Sequence, residues 1–211
     1  MAERTRLELP VKRHARRTHA ERTAETRARL LAAVVDAIAD LGYQRATAAE
    51  ISKRAGVTWG AVQHHFGGKE EMLIAVLEDS FNRFAARIED VAAGHTTVAE
   101  RVSLFVDRAW EHFRSRHYRA TYEILLGYLG RAQPQAERTW QERMSRAWDS
   151  VWTRIFFDAA LPRRRSLALQ HYTVSVLSGL ASTTALAGGA ELPVEELALL
   201  EETLVRELSQ R

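Results

Sequence analysis

At 211 residues, 46% of them apolar and 27% charged, the chain is long enough to bury a real core, and a small head with a larger body is its natural division. It has no cysteine, which excludes disulfides, thiol catalysis and cysteine-ligated zinc and suits a reducing cytoplasm. It also lacks a run of about 18 apolar residues, so no segment is expected to span a membrane. The formal charge of +3 is unevenly placed: residues 1–70 carry 13 Lys and Arg against 8 Asp and Glu, and residues 71–211 carry 17 against 19. A basic head on a nearly neutral body suits phosphate attraction in one part of the molecule only, and a solvated basic arm gives the same count.

Residues 1–19 hold Arg4, Arg6, Lys12, Arg13, Arg16 and Arg17 with Pro10 and little apolar periodicity, and read as a flexible basic arm. Such an arm reaches along a DNA backbone or into a minor groove, or is an ordinary disordered terminus. No apolar stretch of about 7 to 15 residues follows the basic one, which argues against a secretory signal. Leu30, Leu31, Val34, Val35, Ile38 and Leu41 then recur at spacings of three and four, predicting a long helix that ends at Gly42.

Residues 47–66 predict two short helices hinged at a glycine. Thr47 and Glu50 have capping-box spacing, so a helix begins at Ala48, with Ile51 and Ala55 on its inner face and Gly56 at its left-handed end. Thr58 supplies a second N-cap three residues on, and Val62 with His65 or Phe66 forms the inner face of the next helix. Ser52 and Ala55 are small enough for the steep crossing of a helix-turn-helix. Trp59, Gly60, Ala61, Gln63 and His64 lie on or near the outer face. Helix N-terminal N–H groups and a threonine hydroxyl suit phosphate oxygens, while Gln and His suit base edges in a major groove, so double-stranded DNA is the leading candidate partner. The plain alternative is a surface hairpin whose polar residues are solvated.

Thr47, Ile51, Ala55, Gly56, Val57, Thr58, Gly60, Phe66 and the run Lys69, Glu70, Glu71, Met72, Leu73 together resemble the N-terminal domain of the tetracycline-repressor (TetR) family of transcription regulators. The segment from Arg27 to Leu41, with Gly42, Tyr43, Ala46 and Thr47, resembles that family's first helix and its exit; the likeness covers roughly residues 24–80. Gln63 stands where the family usually has a tyrosine, and His65 where it often has another aromatic, so an amide here replaces a phenol at a phosphate contact. The resemblance implies DNA contacts at Thr47, Thr58, Trp59, Gly60, Ala61, Gln63, His64, His65 and Lys69. It also implies an effector cavity in the body and a two-fold dimer through the last two long helices.

After Gly67 and Gly68, Lys69 opens a helix striped by Leu73, Val76, Leu77, Phe81, Phe84 and Ile88, which should link head to body. Further helices are predicted over 98–116 behind a Thr97 and Glu100 capping box, over 118–131, over 134–160, over 163–187 and over 193–208. Leu197, Leu200, Leu204 and Leu208 form a leucine seam, and Ser175, Ser178 and Ser182 with Ala185 give the preceding helix a small face; both suit a dimer interface, or packing within the subunit. Trp140, Met144, Trp148 and Trp152 drift around one side of a helix. Phe105, Trp110, Phe113, Tyr122, Trp148, Trp152 and Tyr172 are the candidate pocket for an apolar or aromatic effector, with Tyr122, His171 or Tyr172 as polar handles, although aromatics at helical spacing also simply fill core.

Adjacent His64 and His65 do not pair on one helix face, so no metal site is expected, and Arg163, Arg164 and Arg165 read as a solvated face. The expectation is an all-α chain without cofactor: a basic arm over 1–19, a three-helix helix-turn-helix DNA-binding domain over 20–68, and a helical ligand-binding and dimerisation domain over 69–211. It acts as a cytoplasmic, homodimeric repressor rather than an enzyme and leaves an inverted-repeat operator when an effector binds. The alternative is a helical enzyme or scaffold whose helix-turn-helix is not used for DNA.

Overall fold

A computed structural model describes residues 18–93, 97–129, 134–188 and 192–209. These residues form nine α-helices and no strand, as the apolar periodicity predicts. Helix α1 (His19–Leu41) starts behind a complete capping box: Thr18 Oγ1 accepts from the Glu21 N–H at 3.2 Å, and Glu21 Oε2 accepts from the Thr18 N–H at 2.7 Å. The expected arm therefore yields its residue 19 to α1, and residues 1–17 lie outside the described residues. Leu30, Leu31, Val34, Val35 and Ile38 are buried, whereas almost every residue before Leu30 is exposed, so the first turns of α1 project from the head.

Two short helices, α2 (Ala48–Ala55) and α3 (Trp59–Phe66), fold back on α1, and α4 (Lys69–Arg87) leads away. Two apolar cores share α4. Met72, Leu73, Val76 and Leu77 join Ile51, Val62 and the α1 stripe in the first; Phe84 and Ile88 belong to the second. That second core is completed by α5 (Val98–Phe113), α7 (Pro134–Ile155), α8 (Arg163–Leu186) and α9 (Val194–Leu208). The first core reaches past the head: Ala120 and Ile124 of α6 (Arg116–Ile124), Tyr128 of the following π-helical segment (Leu125–Leu129) and Trp140 of α7 all lie in it. Packing is thus continuous across Gly68, where the division of head from body is expected.

The helix expected over 118–131 starts earlier, because Ser115 Oγ caps it by accepting from the Tyr118 N–H at 3.1 Å. For the same reason α5 stops at Phe113. Arg163 and Arg165, read above as solvated, bind Asp149 of α7 at 3.0 Å and Glu207 of α9 at 2.5 Å. Arg101 of α5 is almost wholly buried, pairs with Asp158 and stacks its guanidinium 5.1 Å from the centre of the Phe157 ring; an interior cation persists only with such partners. His112, packed among Phe84, Phe113 and Tyr118, has its pKa pushed down to about 4 by burial, with His117 and Arg87 adding to the shift.

Gly127 of the π-helical segment lies against the Tyr43 ring so closely that a Cβ there would come within 3.0 Å of three ring carbons. Gly127→Ala should therefore cost about 1 to 3 kcal/mol in chemical denaturation, and less in a Tyr43→Ala background, where the ring is gone. His112 supplies a second expectation. Its folded pKa lies below the unfolded 6.5, so stability is fully present above pH 6.5 and falls as pH drops toward 4. Melting curves across that window should lose up to about 3 kcal/mol, and His112→Phe should flatten them.

Candidate nucleic-acid interface

Local hydrogen bonding sets the limits of the two short helices. Thr47 Oγ1 accepts from the Glu50 N–H at 3.3 Å, but the expected capping box is only half formed: the Glu50 carboxylate takes Arg54 Nε at 2.7 Å, and the Thr47 N–H goes to the Arg45 carbonyl at 2.8 Å. Gly56 closes α2 at φ 64°, ψ 36°, and the Val57 N–H reaches back to the Ser52 carbonyl at 3.1 Å, a glycine-dependent Schellman ending. Thr58 Oγ1 then accepts from the Ala61 N–H at 3.3 Å and starts α3.

Val62 is fully buried and fixes the rotation of α3 about its axis. Trp59 and Phe66 are half-buried and pack on the first core, so the expected outward Trp59 serves chiefly as an anchor. Gly60, Gln63 and His64 are exposed at spacings of three and four, with Ala61 and His65 half-exposed beside them. Thr47 and Thr58 are exposed at the starts of α2 and α3. The residues expected to meet DNA thus divide into an outward face of Gly60, Gln63 and His64, two exposed N-caps, and Trp59 as support. Lys69 opens α4 with its ammonium 5.7 Å from the centre of the Tyr43 ring. Arg27 of α1 donates from Nη1 to the His65 carbonyl at 3.3 Å and lies 4.4 Å over the Phe66 ring, which sets a cation at the C-terminal end of α3.

Not every cation of the head faces outward. Arg54 is held by Asp40 at 2.6 Å and by Glu50, and Arg116 of α6 reaches the same Asp40 at 2.7 Å. The hydrogen bond from Arg54, and next that from Arg116, holds the Asp40 carboxyl below the usual carboxylate range. Alongside this pair, Arg119 Nη2 donates to the Ala39 carbonyl at 2.8 Å and Glu123 Oε2 accepts from the Tyr43 N–H at 2.8 Å. Helix α6 therefore grips the last turn of α1, a connection that joins residues about 80 apart and leaves no local mark in the sequence.

In the body, the seven residues proposed for a pocket separate. Trp110, Phe113 and Tyr122 line a cleft of about 560 Å³ between α5, α6 and α8. Phe113 and Trp148 line a smaller cavity of about 130 Å³ bounded also by Phe81, Phe84 and Trp140. Phe105 and Trp152 do neither: they are packed edge to face, 5.9 Å apart, inside the second core. Tyr172 is exposed on α8. Tyr118, a large side chain that the sequence also places beside Phe113 and Tyr122, lines both spaces; its hydroxyl shares a 2.7 Å hydrogen bond with Ser178, and burial raises its pKa to about 12.

The leucine seam faces inward. Leu200, Leu204 and Leu208 are buried in the second core and Leu197 packs against it, because α5 offers α9 an apolar face within the same subunit. Ser178 and Ser182 are half-buried, so of the three serines only Ser175 is exposed. The outward stripe of α8 is instead Tyr172, Ser175, Gly179 and Leu186, and α9 adds Leu199.

Residues 30–76 match the family described as "Bacterial regulatory proteins, tetR family". Over 95 residues the chain is 36% identical to an uncharacterized HTH-type transcriptional regulator of Mycobacterium bovis, covering 43% of this chain and 49% of that protein, so it spans about half the length of that relative. Over 170 residues it is 28% identical to the HTH-type transcriptional repressor AcnR of Corynebacterium diphtheriae, covering 79% of this chain and 84% of AcnR. Its fold is similar to that of the transcriptional regulator FadR from Bacillus subtilis in complex with stearoyl-CoA, with a TM-score of 0.65 and 17% identity over 86% of this chain and 97% of FadR. The match to the tetR family of bacterial regulatory proteins thus falls on the head, where the two capped short helices lie, and the helical body behind it shares its fold with solved regulators.

Proposed function

We propose that the chain is a homodimeric transcriptional repressor that reads an inverted-repeat operator with α3 and is released by a small molecule held in its body. The observation that carries this reading is the outward face of α3, where Gly60, Gln63 and His64 stand clear of the core on a head with excess positive charge. Gly60 lets backbone approach a phosphate, and Gln63 and His64 present side chains able to hydrogen-bond base edges. A name such as repressor for the corynebacterial relative, and stearoyl-CoA in the FadR structure, favour repression and a ligand-carrying body here. The reading assigns no catalysis, and it places the protein in the cytoplasm with the DNA; no described helix is long and apolar enough to cross a membrane.

Two copies would pair through the outward stripe of α8, where Gly179 leaves open space, and through Leu199 of α9. A two-fold axis then sets two α3 helices about one DNA turn apart, roughly 34 to 36 Å. An effector weakens DNA binding only by favouring the state in which that spacing is lost, and by no more than its preference for that state.

Gel shifts on the promoter region beside its own coding sequence, at low and physiological salt, test the reading. Binding should weaken steeply with salt, and absence of binding to any DNA sinks it. Thr58→Ala and Lys69→Ala should weaken all sequences alike. Gln63→Ala and His64→Ala should change preference among sequences by about 1 to 3 kcal/mol at the bases they read. Equal losses everywhere from all four changes would show the readers to be misassigned. Gly179→Arg should give a monomer in sedimentation and lower operator affinity on the order of a hundredfold.

A further inference from the structure

The cleft between α5, α6 and α8 has a two-part chemistry. Trp110, Phe113, Tyr118 and Tyr122 form an aromatic floor, in which the Phe113 and Tyr118 rings lie 4.4 Å apart and Tyr118 stacks on Tyr122 at 6.2 Å. Arg114, Arg116 and Arg119 line the same cleft, and among the described residues no Asp or Glu does. Three cations around the first turn of α6 are unfavourable for that helix, since its exposed N–H groups already carry partial positive charge. Arg114 has no ion pair among the described residues. The other two have second tasks: Arg116 holds Asp40 at 2.7 Å and Asp36 at 3.4 Å, and Arg119 holds the Ala39 carbonyl, all on the last turns of α1. A volume of about 560 Å³ is that of a small-ligand site.

We propose that this cleft takes an organic anion, its flat apolar body on the aromatic floor and its carboxylate, sulfonate or phosphate among Arg114, Arg116 and Arg119, and that the anion draws the last two guanidiniums away from α1. This rests on the reading of the body as an effector domain and names the class of effector. The acidic group is what makes the ligand an effector. A neutral body of the same shape occupies the floor and leaves the grip of α6 on α1 intact, whereas an anion competes with Asp40, Asp36 and the Ala39 carbonyl for the same N–H donors. Arg114, with no ion pair among the described residues to give up, supplies affinity alone. Selectivity and release are therefore carried by different arginines of one site.

The test uses the full chain and two fluorescent probes with one ring system: 1-anilinonaphthalene-8-sulfonate and N-phenyl-1-naphthylamine, which lacks the sulfonate. The sulfonate should bind roughly tenfold tighter than the neutral probe, the gain expected of charge-assisted hydrogen bonds. Arg114→Gln, a change at an exposed residue, should remove most of that preference and leave the neutral probe unchanged, and Ala185→Trp, which fills the cleft, should abolish both. Amide hydrogen exchange over residues 36–47 should quicken with the sulfonate and not with the neutral probe. Equal affinity for the two probes, no binding of the sulfonate, a preference that survives Arg114→Gln, or exchange that ignores the sulfonate would each overturn the proposal. DNA binding without probe is scored separately: its absence beside intact anion selectivity counts against the regulator reading alone, and its presence beside lost selectivity against this inference alone.

Discussion

A helix of eight residues makes about two turns and does not persist alone in water, so α2 and α3 exist only because their inner residues are taken into a core built by longer helices. Ile51 and Val62 are fully buried with Leu30, Val34 and Ile38 of α1 and Met72 and Val76 of α4. Val62 in particular has no alternative partner on α3, whose next apolar residues, Trp59 and Phe66, are half out of the core. Its burial decides which side of the helix faces away. The chemistry that α3 turns outward is thus a consequence of apolar packing on the opposite side, and the caps at Thr47 and Thr58 only trim the ends.

That dependence ties the head to the rest of the molecule. The core that orients α3 also contains Ala120, Ile124 and Tyr128 from the segment after α5, and Trp140 from α7. A shift of α6 is therefore felt by α1 and α4 together, without passing along the covalent link at Gly68. The polar contacts around Asp40 lie at the surface, where ion pairs contribute little to stability, so they fit registration and switching better than strength.

The parts legible in the sequence are those whose cause is local. Caps three residues from the N–H groups that donate to them, a left-handed glycine and apolar residues at three and four fix both short helices to the residue. Thr18 and Glu21 carry the same signature as Thr97 and Glu100, so the true start of α1 was readable and was obscured by the basic residues around it. What periodicity does not name is the partner of a stripe. Leu200, Leu204 and Leu208 form a seam whether α9 packs on α5 or on a second copy, and α5 takes it. Phe105 and Trp152 likewise have the same helical spacing as residues that line the cleft. The grip of α6 on α1, with Glu123, Arg119 and Arg116, was beyond reach because its halves are about 80 residues apart.

Gly127 and Tyr43 restrict the kind of motion that can pass between body and head. A ring seated in a socket made by a missing side chain acts as a bearing: van der Waals contact of this kind has little angular preference, and it blocks displacement along the axis. Advancing α6 by one residue, about 1.5 Å, would bring the side chain of Leu126 or Tyr128 toward the ring. The joint thus resists sliding of this segment past Tyr43 and leaves tilting about the ring as the less obstructed movement.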